Sequence, residues 1–322
     1  MPKRRALLVT TRSASSSWSS GATLRADEVE QLLVESGHAV ERRDARSVDA
    51  AGPTYDMLVG VSYACAGAVR RLHGRARRTW LDAVDSWLLV NGSAVRSGHP
   101  SYGVRAVRDA ARLAALPRVD LVTYISAADL AQDRGTVRGR RRLVLPCSVP
   151  GHGLSAEEAS PRIVLAGDWE YAPNRDGLAW FLREVLPHLR RLRPEQDVVV
   201  YGRGAERLPA MLGVRVLGYA EDARELHRAG DVHAAPVRFG GGVKRKVVQP
   251  LLLGLPVVTT RAGAHGLRPH PSLRVHEDAK AFAGALATQL ERTPSVQPVA
   301  AADVVDRDDR LSVLAWATEQ LP

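Results

Sequence analysis

The sequence predicts a two-domain α/β protein. Three observations carry that prediction. Strand-like and helix-like segments alternate along both halves of the chain. Glycine turns follow several of the strands, as at Gly202–Gly204 and Gly240–Gly242. One stretch, PGHGLSAEEASP at 150–161, is rich in Gly, Pro, Ser and Glu and has no apolar periodicity, so it reads as a linker. The length of 322 residues suits two domains of ordinary size.

Ala6 to Thr10 is a buried-strand candidate, and the polar loop RSASSSWSSGATLR follows it. Thr23 to Ser36 is helical in pattern, because Leu24, Val29, Leu32 and Leu33 fall on one side. Gly37 stands where a helix C′ glycine belongs. Ala39 to Arg42 is the next strand. A strand, helix, strand opening implies a parallel sheet. Ligands of open α/β sheets bind at the C-terminal strand ends, which is where Ser19, Ser20 and Gly21 fall. Met57–Val61, Trp80–Val84 and Leu121–Ser126 read as further strands, and Tyr63–Leu72 and Tyr102–Ala115 as helices. Asp82, Asp85 and Ser86 lie at one strand end, and Asp129 in the first turn of a short helix after another. Arg140, Arg141 and Arg142 precede a strand at Leu143–Leu145 and read as a solvated edge.

After the linker the alternation restarts with a strand at Ile163–Ala166, a loop at Gly167–Asn174 and a helix at Gly177–Leu192. Strands follow at Asp197–Tyr201 and Val214–Leu217, a helix at Asp222–Ala229 and a strand at Val232–Pro236. Val257–Thr260 and Arg274–His276 are strands, and Ala279–Leu290 and Asp309–Leu321 helices. Thr293–Val304 is poor in pattern. Two α/β halves with glycine turns at strand ends imply a cleft between them.

The most informative stretch is PVRFGGGVKRKVVQPLLLGLPVVTTRAGAHGL at 236–267. A glycine loop that runs from a strand into a helix is an anion site, since the backbone can approach closely and the first helical N–H groups favour negative charge. Gly240, Gly241 and Gly242 form that loop, and Lys244 and Lys246 follow. Lysine otherwise occurs only at Lys3 and Lys280, in a chain that writes Arg at nearly every other basic position. Lys binds phosphate as a compact charge on a flexible stem. A diphosphate-bearing ligand at this loop is the expectation.

Composition bounds the alternatives. The net charge of +10 permits phosphorylated ligands, an anionic membrane surface or nucleic acid. The arginines are scattered, however, and no compact basic module with interleaved aromatics stands out, so nucleic acid is not the expected partner. No apolar run is long enough to span a membrane. The two cysteines, Cys65 and Cys147, fit neither a disulfide framework nor a zinc site and suit a reducing cytoplasm. No histidine has metal-like partner spacing. A nicotinamide enzyme is disfavoured, because no strand leads into G-x-G-x-x-G with an acid about 20 residues on.

The second half resembles the C-terminal domain of GT-B glycosyltransferases, in the large bacterial family 4 or group 1 set. The runs that carry the likeness are GDWEYAPNRDGLAWFLREVLPHLRRLRP, VVVYGRG and GVRVLGYAEDARELHRAGDVHAAPVRFGGGVKRKVVQPLLLGLPVVTTRAGAHGL, spanning roughly Arg162 to Leu290. The first half is similar more loosely, through the loop ending Ser20-Gly21 with Arg25, LDAVDS at 81–86, and VDLVTYISAADLAQD followed by RRLVLPCSVP. The resemblance implies two Rossmann-like domains. The first, 1–155, would take the acceptor and the second, 156–305, the sugar nucleotide; a final helix, 306–322, would pack back on the first.

By that resemblance a sugar moves from a nucleoside-diphosphate sugar to a natural product, glycan or lipid-linked acceptor, with no further cofactor and no metal. The donor site would gather Gly21, Arg25, Arg175, Tyr219, Gly240, Gly241, Gly242, Lys244, Lys246 and Gln249. Asp82, Asp85 and Asp129 are the candidate catalytic acids, as a base for the acceptor. Asn174 is expected to order its own loop, and Asp222 to cap a helix. The chain departs from the pattern where it has Gln249 for the usual ribose-binding Glu, Pro250 for Ala, Gly241 for an acid and His265 for Glu. Pro250 fits a helix that starts near Val247, and Gln249 keeps hydrogen bonds without charge assistance. These departures also suit a non-catalytic relative that binds a nucleotide or glycan, or supports a partner enzyme. Localisation would be cytoplasmic, with peripheral contact at the inner membrane face; the Arg- and Ala-rich composition suits an actinobacterial genome. The oligomeric state is left open.

Overall fold

A computed structural model describes residues 4–11, 21–49, 51–133, 135–148, 153–155, 160–210, 213–220, 222–291 and 297–319. The chain divides into two compact units, Met1–Ser148 with Arg307–Pro322, and Val149–Asp306. Ser19 and Ser20 of the first loop, and Glu221, lie outside the described residues.

Strands β1 (Arg4–Thr10), β2 (His38–Asp44), β3 (Tyr55–Val61), β4 (Ala76–Val84), β5 (Val119–Tyr124) and β6 (Gly139–Val144) form the first sheet. All its pairings are parallel, in the order β2-β1-β3-β4-β5-β6. Successive side chains of a strand face opposite ways. Leu7 and Val9 therefore join one core layer with α2 (Ala66–Leu72), while Ala6 and Leu8 join the other with α1 (Gly21–Glu35). Both faces being covered explains why these strands are apolar runs rather than alternating ones. Gly37 ends α1 at φ 86°, a conformation glycine enters without steric cost.

Three further helices are α3 (Trp87–Arg96), α4 (Ser101–Ala114) and α5 (Ala127–Gln132). The sequence pattern does not predict α3. Its start is set by Ser86, whose Oγ accepts from Leu89 N at 3.2 Å. Arg140, Arg141 and Arg142 do not precede β6 but lie in it, and β6 is one of the two edge strands of this sheet.

The second sheet holds β7 (Ile163–Ala166), β8 (Val198–Tyr201), β9 (Arg215–Gly218), β10 (Val232–Ala235), β11 (Val257–Thr259) and β12 (Leu273–Val275). It too is parallel, in the order β12-β11-β10-β7-β8-β9. Its helices are α6 (Ala172–Trp180), α7 (Leu186–Leu192), α8 (Arg245–Leu252), α9 (Ala279–Leu290) and α10 (Ala301–Val304). A π turn at Phe181–Val185 joins α6 to α7. Pro187 has no N–H for the Arg183 carbonyl, and the ladder widens there. Trp180 stacks edge-on against Phe282 of α9 at 5.5 Å in this core. The helix expected at Asp222–Ala229 shortens to a 3₁₀ turn, Ala223–Leu226. His227 leaves helical geometry and is buried beside His233, with their ring nitrogens 3.2 Å apart.

The last helix, α11 (Arg310–Thr318), belongs to the first unit. Asp309 and Val144 exchange hydrogen bonds at 2.8 Å, and Trp316 meets Trp80 edge-on at 6.3 Å. In each sheet the chain order reverses once. The reversal lies between β1 and β3 in the first unit and between β7 and β10 in the second. Ligands of open parallel sheets bind at the carboxyl ends of strands that flank such a reversal.

Candidate functional site

The second unit builds a small pocket at its reversal point, where Asn174 and Lys246 are the polar side chains among apolar ones such as Leu165, Trp169 and Val237. The loop after β7 and the start of α6 form one side; the glycine loop after β10 and the start of α8 form the other. Gly177 lets these sides meet, because a Cβ there would stand 2.1 Å from the Pro236 carbonyl oxygen. Gly202 plays the same part for the β7 loop, where a Cβ would stand 1.8 Å from the Gly167 oxygen. Thr259 and Thr260 pin the far side by donating to the Ala235 and Val237 carbonyls.

Lys246 lies in the first turn of α8, and its Nζ donates to Asn174 Oδ1 at 2.7 Å. Asn174 lies in the first turn of α6 and donates from Nδ2 to the Asp168 carbonyl at 2.8 Å. Asn174 thus orders its own loop and also aims the lysine. The Trp169 ring lies 6.0 Å from the ammonium. A Cβ on Gly167 would come within 3.4 Å of the same nitrogen. Burial, reinforced by Lys244, pulls the Lys246 pKa down to about 7. A half-buried lysine with no carboxylate partner among the described residues holds its charge unneutralised when protonated, and an anion would satisfy it.

The other donor-side residues divide. Gly240, at φ 120°, and Gly242, at φ 71°, adopt backbone that glycine tolerates, and a Cβ on Gly240 would meet nothing within 4 Å. Gly241 lies between them, and its carbonyl accepts from Lys244 Nζ at 2.6 Å. Lys244 is the N-cap residue of α8, and its ammonium also folds onto the Gly242 carbonyl at 2.7 Å, so it braces the loop. Gln249 is half-buried on α8 and makes no side-chain hydrogen bond among the described residues. Helix α8 begins at Arg245, earlier than Pro250 suggests, so Pro250 is interior. It lies four residues after Lys246 and denies that carbonyl its intrahelical donor.

Arg175 is not turned to a phosphate. It is exposed and donates to the Trp169 and Glu170 carbonyls at 3.3 and 2.7 Å, closing its own turn. Tyr219 follows β9, the sheet edge, with β8 between it and β7, and is 45% exposed. Asp222 forms a reciprocal cap with Glu225, the helix-cap role expected of it.

In the first unit the structure corrects the reading of Arg25. Its guanidinium is buried and fully committed. It donates to both Asp82 oxygens at 2.8 Å, to Glu28 Oε2 at 3.3 Å, and to the Leu145 and Pro146 carbonyls at 2.7 and 3.2 Å. Burial pulls its pKa down, but the Asp82 carboxylate outweighs burial, and the net direction is up. None of its five N–H groups is left for a phosphate. Gly21 is the first residue of α1, one helical turn before Arg25.

Asp82 is likewise no free base, since it accepts from Thr123 Oγ1 at 2.6 Å besides Arg25. Asp129 is also committed. It accepts from Ser86 N at 2.8 Å and from Ser126 Oγ at 2.5 Å, tying the start of α3 to α5. Asp85 is half-buried in the turn after β4. That turn is strained: Val84 has φ 65°, an outlier for a β-branched residue, at a shift in the β4–β5 register. Beside it Ser86 Oγ donates to Asp133 Oδ1 at 2.5 Å. Asp133 Oδ2 and the Tyr124 hydroxyl are buried without a hydrogen-bond partner among the described residues. Burial pushes the Asp133 pKa up to about 6. Trp169 and Gly167 beside Lys246, and the strained Val84, are residues that sequence patterns missed. Only Gly167, directly after a strand, carried a signal.

No group of acids, cysteines and histidines placed to hold a metal is found among the described residues, and no helix among them is long and apolar enough to cross a membrane.

Residues 160–292 match the model of the family described as glycosyl transferases group 1. Among solved structures, HepE of Anabaena in complex with UDP-glucose is similar over 89% of this chain and 90% of its own, at 15% identity and TM-score 0.58. The UDP-forming α,α-trehalose-phosphate synthase of Burkholderia vietnamiensis is similar over 98% of this chain and 94% of its own, at 12% identity and TM-score 0.54. At such identities the likeness is one of fold. No curated protein matches the sequence. With both sheets and the reversal-point loops in place, the chain has the GT-B fold of these structures, and its second unit carries the match to glycosyl transferases group 1.

Proposed function

We propose that the chain transfers a sugar from a nucleoside-diphosphate sugar, and that the second unit holds the donor diphosphate at Lys246 and the glycine loop after β10. The observation that carries this reading is the Lys246 ammonium, half-buried at the reversal point and aimed by Asn174, with no carboxylate partner among the described residues. Loop N–H groups and this charge would stabilise the diphosphate as it leaves. UDP is the first nucleotide to try, because HepE is bound to UDP-glucose. The acceptor is a natural product, a glycan or a lipid-linked compound, and no cofactor beyond the sugar nucleotide is needed.

The test is a thermal-shift panel with UDP, GDP, dTDP, their sugars and NAD(H), followed by turnover of whichever sugar nucleotide stabilises. A rise in Tm with a nucleoside diphosphate supports the reading. A response to NAD(H) alone overturns it.

Gln249 favours a second reading, a nucleotide-binding relative without turnover. A neutral amide stands on α8 with no hydrogen-bond partner among the described residues. Gln249→Glu separates the two. A several-fold gain in donor affinity places this side chain at the ribose, and turnover appearing only in the variant assigns the natural chain to binding.

A further inference from the structure

Helices α3 and α4 form a hairpin in the first unit whose outer side has the wrong polarity for water. Val104 is 78% exposed and Val107 72% exposed on α4, and Leu88 and Val95 of α3 are 36% and 43% exposed. A helix advances about 100° per residue, which puts Val104, Val107 and Ala111 on one outward stripe. Leu113, Leu116 and Asp109 occupy the inward side and are buried. The apolar surface continues onto α3, since a Cβ on Gly103 would lie 3.9 Å from Val95 Cγ2.

Charge is distributed just as unevenly. From Trp87 to Leu116 the sequence has four arginines, Arg96, Arg105, Arg108 and Arg112, against one acid, Asp109. Asp109 is buried, and Arg105, Arg108 and Arg112 approach it at 3.6, 3.9 and 3.7 Å. One carboxylate beneath three guanidiniums leaves the rim positive. The Arg108 and Arg112 side chains are 59% and 46% exposed, so their charge is presented outward along one flank of the valines.

We propose that this hairpin face docks on an anionic lipid surface, with Val104 and Val107 entering the headgroup boundary and Arg96, Arg108 and Arg112 meeting lipid phosphates. Apolar side chains at the centre of a helix face with arginines beside them are the pattern of a helix lying in the interface plane. The charge complementarity selects a lipid surface over a protein partner, because the rim has one sign and no exposed acid between Trp87 and Leu116. The proposal does not depend on the donor reading, since the hairpin belongs to the other unit.

The experiment is co-sedimentation of the full chain with phosphatidylcholine vesicles, with and without phosphatidylglycerol, at low and raised salt. The expected result is pelleting with phosphatidylglycerol only, weakened by salt. Arg108→Gln with Arg112→Gln should lower the partition coefficient by about 25-fold, from roughly fivefold per arginine. Val104→Glu with Val107→Glu should lower it at least as far. The valines are exposed, so their variants should keep the parent Tm; the arginine pair strips two of three guanidiniums from buried Asp109, so Arg108→Gln alone repeats the charge test at the parent Tm and Val107→Ser alone the apolar one. Failure of the parent chain to pellet, equal pelleting without phosphatidylglycerol, or pelleting unchanged in both double variants overturns the proposal. So does a dimer in light scattering that Val107→Ser splits, which would assign the face to a second copy.

Discussion

Lys246 and Asn174 are joined side chain to side chain at 2.7 Å across 72 positions of sequence, linking the first turns of two helices at the reversal point of one sheet. Lys244, the other lysine of this loop, is spent on the Gly241 and Gly242 carbonyls.

Lys246→Met should therefore abolish the thermal shift produced by a nucleoside diphosphate. The Tm without ligand should stay level or rise, since the substitution removes a charge that burial opposes. Differential scanning fluorimetry with and without UDP checks both halves. A retained UDP shift would move the phosphate site elsewhere.

The same lysine sets a pH dependence. Its pKa is about 7 in the free protein, and a bound diphosphate would raise it. Below that value the lysine is already charged, and affinity for a nucleoside-diphosphate sugar should be level. Above it, binding must take up a proton, so affinity should fall by about tenfold per pH unit until the bound-state pKa is reached. Titration calorimetry in buffers of different ionisation enthalpy should detect proton uptake on the alkaline side. The folded pKa is depressed below the ordinary 10.5, so the free protein should gain stability from this group as pH rises from about 7 toward 10.5.

Arg25 and Asp82 test the first unit. Arg25→Met leaves the Asp82 carboxylate buried without its partner and should cost about 3–5 kcal/mol in urea unfolding. Arg25→Lys should not restore it, because an ammonium cannot make the paired bonds to Asp82 while reaching the Leu145 and Pro146 carbonyls. Stability unchanged by Arg25→Met would free this arginine for a ligand role.

Asp133 should work the other way. Its folded pKa is raised from 3.8 to about 6, so the folded state holds a proton the unfolded chain releases. Stability contributed by the protonated form is complete below 3.8 and is lost as pH rises to about 6. Asp133→Asn should flatten that fall and stabilise the protein near neutral pH by about 1–3 kcal/mol. Unfolding midpoints across the acid range would read this directly; an unchanged slope would return the titration to another group.

The parallel sheets were legible because both their faces are buried and their strands are short apolar runs. Helix α9 was legible to the residue, since Asp278 caps it and its apolar positions repeat at helical spacing. Helix α3 was not, because its start depends on one Ser86 hydroxyl and its apolar residues lie on two sides. The glycine loop and Lys246 could be read from local pattern alone. The partnership with Asn174 could not, because it is made by topology, which brings the ends of β7 and β10 side by side. Arg25 failed for the same reason: an arginine beside a glycine loop looks like a phosphate ligand until a distant Asp82 is seen to hold it.

Gly177 sets the closest spacing that two backbones can take. Helix α6 rests on the Pro236 carbonyl through backbone alone, so the two helix starts that frame the pocket are held apart by a fixed gauge. Any larger residue at 177 would push α6 off that carbonyl and part the two helix starts, so one missing methyl group holds the width of the pocket.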